Sequence, residues 1–327
     1  MENQFLKSGG ALKVDDQFII CTFPSPRLVL STSLYNGGYL MADAVFNHRL
    51  SMFVNSEHDL PGGSMENYLE IMAKERGLNG ERSTGLLTSA RMNCRAYSIS
   101  TFNDLIVEVV ATAGVDKNAA RAGDAGCYFE NNGNYQPIGG TINILAFTNI
   151  KMPYGSMAKA LLSITEAKTA ALQELAIASP LTQKPATGTG TDGVILVCNQ
   201  DSPLICRDTG TQSKLGELFC TAVKTAVKQS LALECDISSA SQGALPQRLC
   251  RSDLFTSLTP EQIAASKNSK ILLAASQSIW QEYCWGLLDA SDVCHFIQMM
   301  KAESNQPCGT MIAAELQRKI SNTARSR

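Results

Sequence analysis

The chain has 327 residues, enough for one large domain or two modest ones. Apolar residues make up 44% and charged residues 18%, and the net charge is −2, so the protein has core-forming material but no field to draw nucleic acid or an anionic membrane. No window approaches the ~18 to 20 consecutive apolar residues of a spanning helix, which argues against membrane insertion. The first residues, MENQFLKSGGALKVDDQF, carry Asp15 and Asp16 and lack the apolar run of a secretory signal, so a cytoplasmic location is expected. The eleven cysteines contain no CxxC pair and read as reduced thiols. His48, His58 and His295 are too few and too scattered for an imidazole-rich metal site, and no metal is expected.

In chain order, RLVLSTS (27–33) reads as a strand ending at the turn YNGG, and HRLSMFV (48–54) as a second strand. SMENYLEIMAKERGL has helical period, with Met65, Leu69, Met72 and Leu78 broadly on one side and Gly77 near its end. TGLLTSA, CRAYSIS, LIVEVVATAG and GGTINILAFTN read as strands. GSMAKALLSITEAKTAALQELAIAS is the clearest helix, with Met157, Leu161, Ile164, Ala171, Leu172 and Leu175 in one stripe. DGVILVC reads as a buried strand and KLGELFCTAVKTAVKQSLAL as an amphipathic helix. After about Cys235 the texture becomes turn-rich and then helical, and TPEQ, with Thr259 as N-cap, Pro260 and Gln262, has a capping-box pattern. The expected fold is α/β, with α+β an alternative: a layered sheet-and-helix core with a mainly helical C-terminal extension. The expected division is a lead-in at 1–26, the core at 27–235 and the extension at 236–327.

Several polar clusters stand out against this frame. KPATGTGTDGVILVC (184–198) places a Thr- and Gly-rich loop before a strand. A phosphate-binding P-loop needs the order strand, loop, helix and a GK[ST] ending, so that reading fails. Two readings stay open: an irregular entry into a strand, or a nest of N–H groups with the Thr187, Thr189 and Thr191 hydroxyls backed by Asp192. Asn36, Gly37 and Gly38 make either a simple turn or a strand-end group able to hold an amide. Asn118 and Arg121 share a face if a helical turn follows LIVEVVATAG; Arg121 is then either a surface charge or a clamp for an anion. Lys168 falls in the apolar stripe of the long helix, where it either snorkels at the rim or serves a site, while Glu166 points roughly the opposite way. No GxSxG elbow supports a serine triad.

Seven motifs, LSTSLYNGG, TGLLTSARM, ATAGVDKNAARAG, GGTINILA, TEAKTAAL, ATGTGTDGVILV and GTQSKLGEL, occur in an order and spacing that resembles the adenosylcobinamide amidohydrolases. The resemblance spans roughly Arg27 to Leu233 and does not extend into the C-terminal segment. It implies hydrolysis of the amide between the aminopropanol arm and the corrin propionate of adenosylcobinamide, giving adenosylcobyric acid in corrinoid salvage and remodelling, with pseudo-cobamides as further substrates. The corrinoid is then a substrate rather than a cofactor, no cofactor is required, and a homo-oligomer is compatible with the chain. A non-catalytic corrinoid-binding protein is the alternative. An unrelated threonine-nucleophile hydrolase of the self-cleaving kind finds no processing site. Residue roles follow from the chemistry of amide hydrolysis: Asp192 or Glu166 as general base, Lys168 as proton donor or partner of Glu166, and Asn36, Asn143 and loop N–H groups as oxyanion or carboxamide binders. Gly37, Gly38, Asn118, Arg121, Thr187, Thr189 and Thr191 complete the expected substrate contacts.

Overall fold

The computed structural model describes residues 2–52, 54, 56–115, 118–126, 140–182, 184–238, 241, 276, 278–280, 282–283, 287–303, 310, 313–314, 316–318 and 321. The chain divides into two compact units, residues 1–173 with 179–236, and residues 174–178 with 237–327.

In the first unit, β1 (Glu2–Leu6) and β2 (Gly10–Val14) form a hairpin, and β2 pairs antiparallel with β3 (Phe18–Ser31). β3 serves two neighbours along one edge: residues 19–22 pair with β2, and residues 28–31 with β11 (Gly193–Cys198). Between them, the register shifts from Thr22 to Arg27 across Pro24 and Pro26, which cannot donate to a ladder. The other edge of β3 carries β4 (Gly38–Arg49), and β5 (Ser83–Thr88) pairs parallel with β4. Beyond β11 come β9 (Ile142–Thr148), β7 (Leu105–Ala113) and β6 (Ala96–Phe102), with β11 and β9 parallel. The result is a mixed, nine-stranded sheet that curls into a half-barrel. A two-residue ladder of β8 (Ala119–Ala120) with β10 (Gly188–Thr189) lies outside it.

One core cluster holds Leu12, Ile19, Cys21, Val29, Val45, Val110, Leu145, Phe147 and Ile195, contributed by strands at period two. A second cluster forms where α1 (Met65–Glu75) lays Leu69 and Ala73 against Phe18, Tyr35 and Phe46. Ser64 caps α1 by accepting from Asn67 N–H, and Gly77, with φ of +70°, follows its end. α2 (Tyr154–Glu174) packs Met157 against Cys198 of β11, sulfur to sulfur at 3.6 Å. α3 (Lys214–Cys235) lies over β6 and β7 and is capped by Ser213. Its Gly216 is required because a Cβ there would overlap the Gly210 carbonyl.

Three expectations change. Of HRLSMFV only His48 and Arg49 are strand among the described residues: they close β4, whose twelve residues begin at Gly38, where exposed Tyr39 and Met41 mask the strand pattern. Residues 1–26 supply β1, β2 and half of β3 rather than preceding the core. The helical turn that would have set Asn118 and Arg121 on one face is replaced by β8, whose backbone pairs with β10.

In the second unit, the described helix Ala290–Glu303 buries Val293, Phe296 and Ile297. Asp289 and Asp292 exchange N–H to carboxylate bonds of 2.9 and 3.0 Å at its start, so the helix is capped from within. His295 is exposed on it. The capping box at Thr259 lies outside the described residues. Among the described residues no helix is long and apolar enough to cross a membrane.

Candidate active site

The parallel strands β9 and β11 begin at the same end of the sheet, and the loop ATGTGTDG leads into β11 there. Asp192, the last residue before the strand, is the focus of that loop. Its Oδ1 accepts from Ile142 N–H at 3.1 Å and from the Thr189 hydroxyl at 2.5 Å. Its Oδ2 accepts from Thr189 N–H at 3.0 Å and pairs with the Lys168 ammonium. The two charged side chains are 10% and 13% exposed, so the pair is shielded from the solvent that weakens surface bridges. Lys168 therefore does not snorkel to the rim: the apolar stripe of α2 carries it inward, onto Asp192.

The glycines of the loop follow from this pair. A Cβ on Gly188 would lie 2.6 Å from Lys168 Nζ and closer still to Asp192 Oδ2. A Cβ on Gly193 would meet Leu86 at 2.7 Å and Asn143 Oδ1 at 2.9 Å. Close approach, rather than positive φ, is why glycine stands at both positions.

The rest of the loop is fastened by its neighbours. Thr169 Oγ1 donates to Thr187 O at 2.9 Å, so α2 holds the loop by two adjacent residues. Thr141 Oγ1 donates to Thr191 O at 2.6 Å, and Thr191 Oγ1 donates to Gly140 O at 3.0 Å. Thr187 Oγ1 accepts from Ala122 N–H at 2.8 Å. Arg121 Nη1 donates to Pro185 O at 2.7 Å, so Arg121 braces the loop from outside and its guanidinium is tied to backbone. Nearby, the Ser179 and Thr182 hydroxyls donate to Asp124 and hold its carboxyl below the ordinary range. Asn118 Nδ2 donates to Gly140 O, while its Oδ1 is buried without a partner among the described residues.

On the core face of the sheet, a ladder of side-chain amides runs beneath the same strand starts. Asn143 Nδ2 donates to Asn47 Oδ1 at 2.7 Å and to Leu87 O at 2.9 Å, and Asn47 Nδ2 donates to Thr112 Oγ1 at 2.9 Å. All three residues are about 1% exposed. Both amide hydrogens of Asn143 are thus committed, which removes it as an oxyanion donor and leaves it an acceptor through Oδ1. Asn47 and Thr112 escaped the sequence reading, although each is a polar residue at an inward position of an apolar strand, AVFNH and VVATA.

Two expected site residues are elsewhere. Glu166 is exposed, on the side of α2 where its charge acts on Cys220 of α3, and it does not join Asp192 and Lys168. Asn36 sits at φ 49° in the turn after β3 and gives both amide hydrogens away, to Gly80 O at 2.7 Å and Ser83 O at 2.8 Å. Gly37 is there because a Cβ would overlap Ser33 O, and Gly38 because φ is +81°. SLYNGG is therefore a turn stitched to the start of β5 rather than a donor of free amides. Among the described residues, no three His, Cys, Asp or Glu side chains gather closely enough to hold a metal ion.

The geometry thus contains a shielded carboxylate–ammonium pair with a hydroxyl on the carboxylate, a set able to receive one proton and deliver another. Similarity to known proteins places the chain in a family. An uncharacterised protein of Methanocaldococcus jannaschii is 34% identical over 228 residues, covering 65% of this chain and 85% of its own length. The family description adenosylcobinamide amidohydrolase matches residues 6–239, which include every element of the sheet from β2 onward and the whole of the Lys168–Asp192 site. The chain belongs to the adenosylcobinamide amidohydrolase family.

Proposed function

We propose that the protein hydrolyses the aminopropanol amide of adenosylcobinamide, releasing adenosylcobyric acid and 1-aminopropan-2-ol, and that it does so in cytoplasmic corrinoid salvage and remodelling, with pseudo-cobamides as further substrates. The observation that carries this reading is the convergence of four family motifs on one acid–base pair. TEAKTAAL supplies Lys168 and Thr169, GGTINILA supplies Ile142 N–H and Thr141, ATAGVDKNAARAG supplies β8 and Arg121, and ATGTGTDG supplies Asp192.

An alkyl amide is a poor electrophile with a poor leaving group, so a catalyst must take a proton from the attacking oxygen and give one to the departing nitrogen. Asp192 takes the first, and Lys168 gives the second. Because the two groups are in contact, the proton gained by Asp192 restores the ammonium at the end of the cycle. The corrin rim is lined with carboxamides, and the Thr, Asn and Gly residues around the loop match that chemistry with acceptors and backbone donors.

The test is incubation of the purified chain with adenosylcobinamide, followed by chromatographic separation of the corrinoids. Release of adenosylcobyric acid is expected, with Asp192→Asn and Lys168→Met each slower by ~10²-fold or more. Tight binding of intact adenosylcobinamide without release would make the protein a corrinoid binder and end the enzymatic reading.

A further inference from the structure

The loop holds three threonine hydroxyls, and they differ in the one respect that matters for attack on a carbonyl. A hydroxyl becomes a nucleophile only if its hydrogen can be handed to a base. Thr191 Oγ1 points its hydrogen at the Gly140 carbonyl, and Thr187 Oγ1 at the Ala120 carbonyl, neither of which takes up a proton near neutral pH. Thr189 Oγ1 points its hydrogen at the Asp192 carboxylate, at 2.5 Å. It is half-buried rather than enclosed, so a substrate can approach it. Lys168 stands on the other oxygen of the same carboxylate. The next residue, Gly190, is exposed.

From this arrangement, and resting on the reading of the site as amide-hydrolysing, we infer that Thr189 is the covalent nucleophile and that the reaction passes through an acyl-threonine ester. Oγ1 of Thr189 bonds to the amide carbon as its proton passes to Asp192 Oδ1. The N–H of Gly190 is the donor available to the oxyanion, the place that the residue after a nucleophile commonly fills. The C–N bond breaks as Lys168 protonates the nitrogen, and the amine leaves neutral. Asp192 returns its proton to Lys168 across their contact. Water then attacks the ester, its proton goes to Asp192, and the Thr189 oxygen leaves with that proton as the carboxylic acid is released. Every proton taken from one group is returned to another, and no co-reactant beyond water is used. This mechanism needs no free N-terminal threonine and no self-cleavage.

The experiment uses a small activated ester, p-nitrophenyl acetate, on the full chain, with acid quenching, intact mass measurement and peptide mapping. Nitrophenolate leaves without a proton, so the ester asks for the nucleophile and its base but not for the acid. Wild type is expected to carry one acetyl group on Thr189, and Thr189→Ser to carry one at the same position. Thr189→Ala and Asp192→Asn are expected to lose it, whereas Lys168→Met keeps it while losing adenosylcobinamide hydrolysis by ~10²-fold or more. Absence of acetyl from Thr189 in wild type, or adenosylcobinamide turnover by Thr189→Ala at the wild-type rate, overturns the inference. The two readings separate: adenosylcobinamide turnover without an ester on Thr189 removes the nucleophile and leaves the function, while an acetylated Thr189 without adenosylcobinamide turnover keeps the nucleophile and removes the substrate.

Discussion

Gly188 offers the sharpest perturbation of the site, because it removes no functional group. A Cβ at this position lies 2.6 Å from Lys168 Nζ, and nearer to Asp192 Oδ2. Ordinary contact needs about 3.5 Å, so Gly188→Ala demands a displacement of roughly 1 Å. Backbone conformation does not oppose alanine, since Gly188 is a strand residue and not among the glycines of positive φ. The displacement falls on the ion pair. Asp192 is held by three further donors, from Thr189 twice and from Ile142, so the ammonium of Lys168 is the part that gives way. Overpacking of this kind costs on the order of 1–3 kcal/mol of stability, and a 1 Å misplacement in a catalytic array costs on the order of 10²-fold in rate. The assay pairs adenosylcobinamide turnover with urea denaturation. Gly155→Ala is the control, since a Cβ there meets nothing within 4 Å. Gly188→Ala with wild-type turnover and wild-type stability would refute both the packing argument and the role of the pair.

Other expectations follow from the same geometry. Glu166→Gln should turn over adenosylcobinamide within about 2-fold of wild type, because Glu166 is exposed and outside the pair; a ~10²-fold loss would return it to the list of bases. Burial pushes the His48 imidazole down to about 4 from an ordinary 6.5, against the raising effect of its bond to Gln17 O. The unfolded chain therefore binds a proton that the folded chain refuses, so this contribution is complete above pH 6.5 and is lost as pH falls through 4. It amounts to roughly 3 kcal/mol, read from denaturation midpoints between pH 4 and 7, and His48→Gln should flatten the slope. Asn36→Gly keeps the left-handed turn but leaves the Gly80 and Ser83 carbonyls short of a donor; the expected loss is about 1–3 kcal/mol in the same denaturation assay, and none would mean the turn is held by Tyr35 and Ser33 alone.

Much of the frame was legible in the residues. The helices of α1, α2 and α3 announce themselves by period, α1 also by Gly77, and six of the strands by short apolar runs. β4 was not legible, because Tyr39, Met41 and Asp43 face solvent at one end while Asn47 and His48 are buried at the other, so no single alternation runs its length. β8 and β10 have two residues each, too few for any periodic signal. Lys168 was visible as a charge out of place in an apolar stripe, but its partner was not, since the helical offset argues only against Glu166 and says nothing about a residue 24 positions away.

What the sequence determined by itself was therefore local and chemical: which segments coil, which extend, that ATGTGTDG is no phosphate loop, and that its motifs keep the company of an amidohydrolase family. Direction was left to the tertiary structure. A threonine hydroxyl or an asparagine amide carries the same atoms whether it faces a ligand or a neighbouring carbonyl, and only packing decides which. Packing spent the amides of Asn36 and Asn143 on backbone carbonyls and on Asn47, turned Glu166 outward, and aimed both donors of Thr189 at Asp192. The physical reason is that a shielded carboxylate must be met by donors wherever they come from in the chain, and here they come from α2, β9 and the loop itself, brought together by two parallel strands that begin at the same level of the sheet.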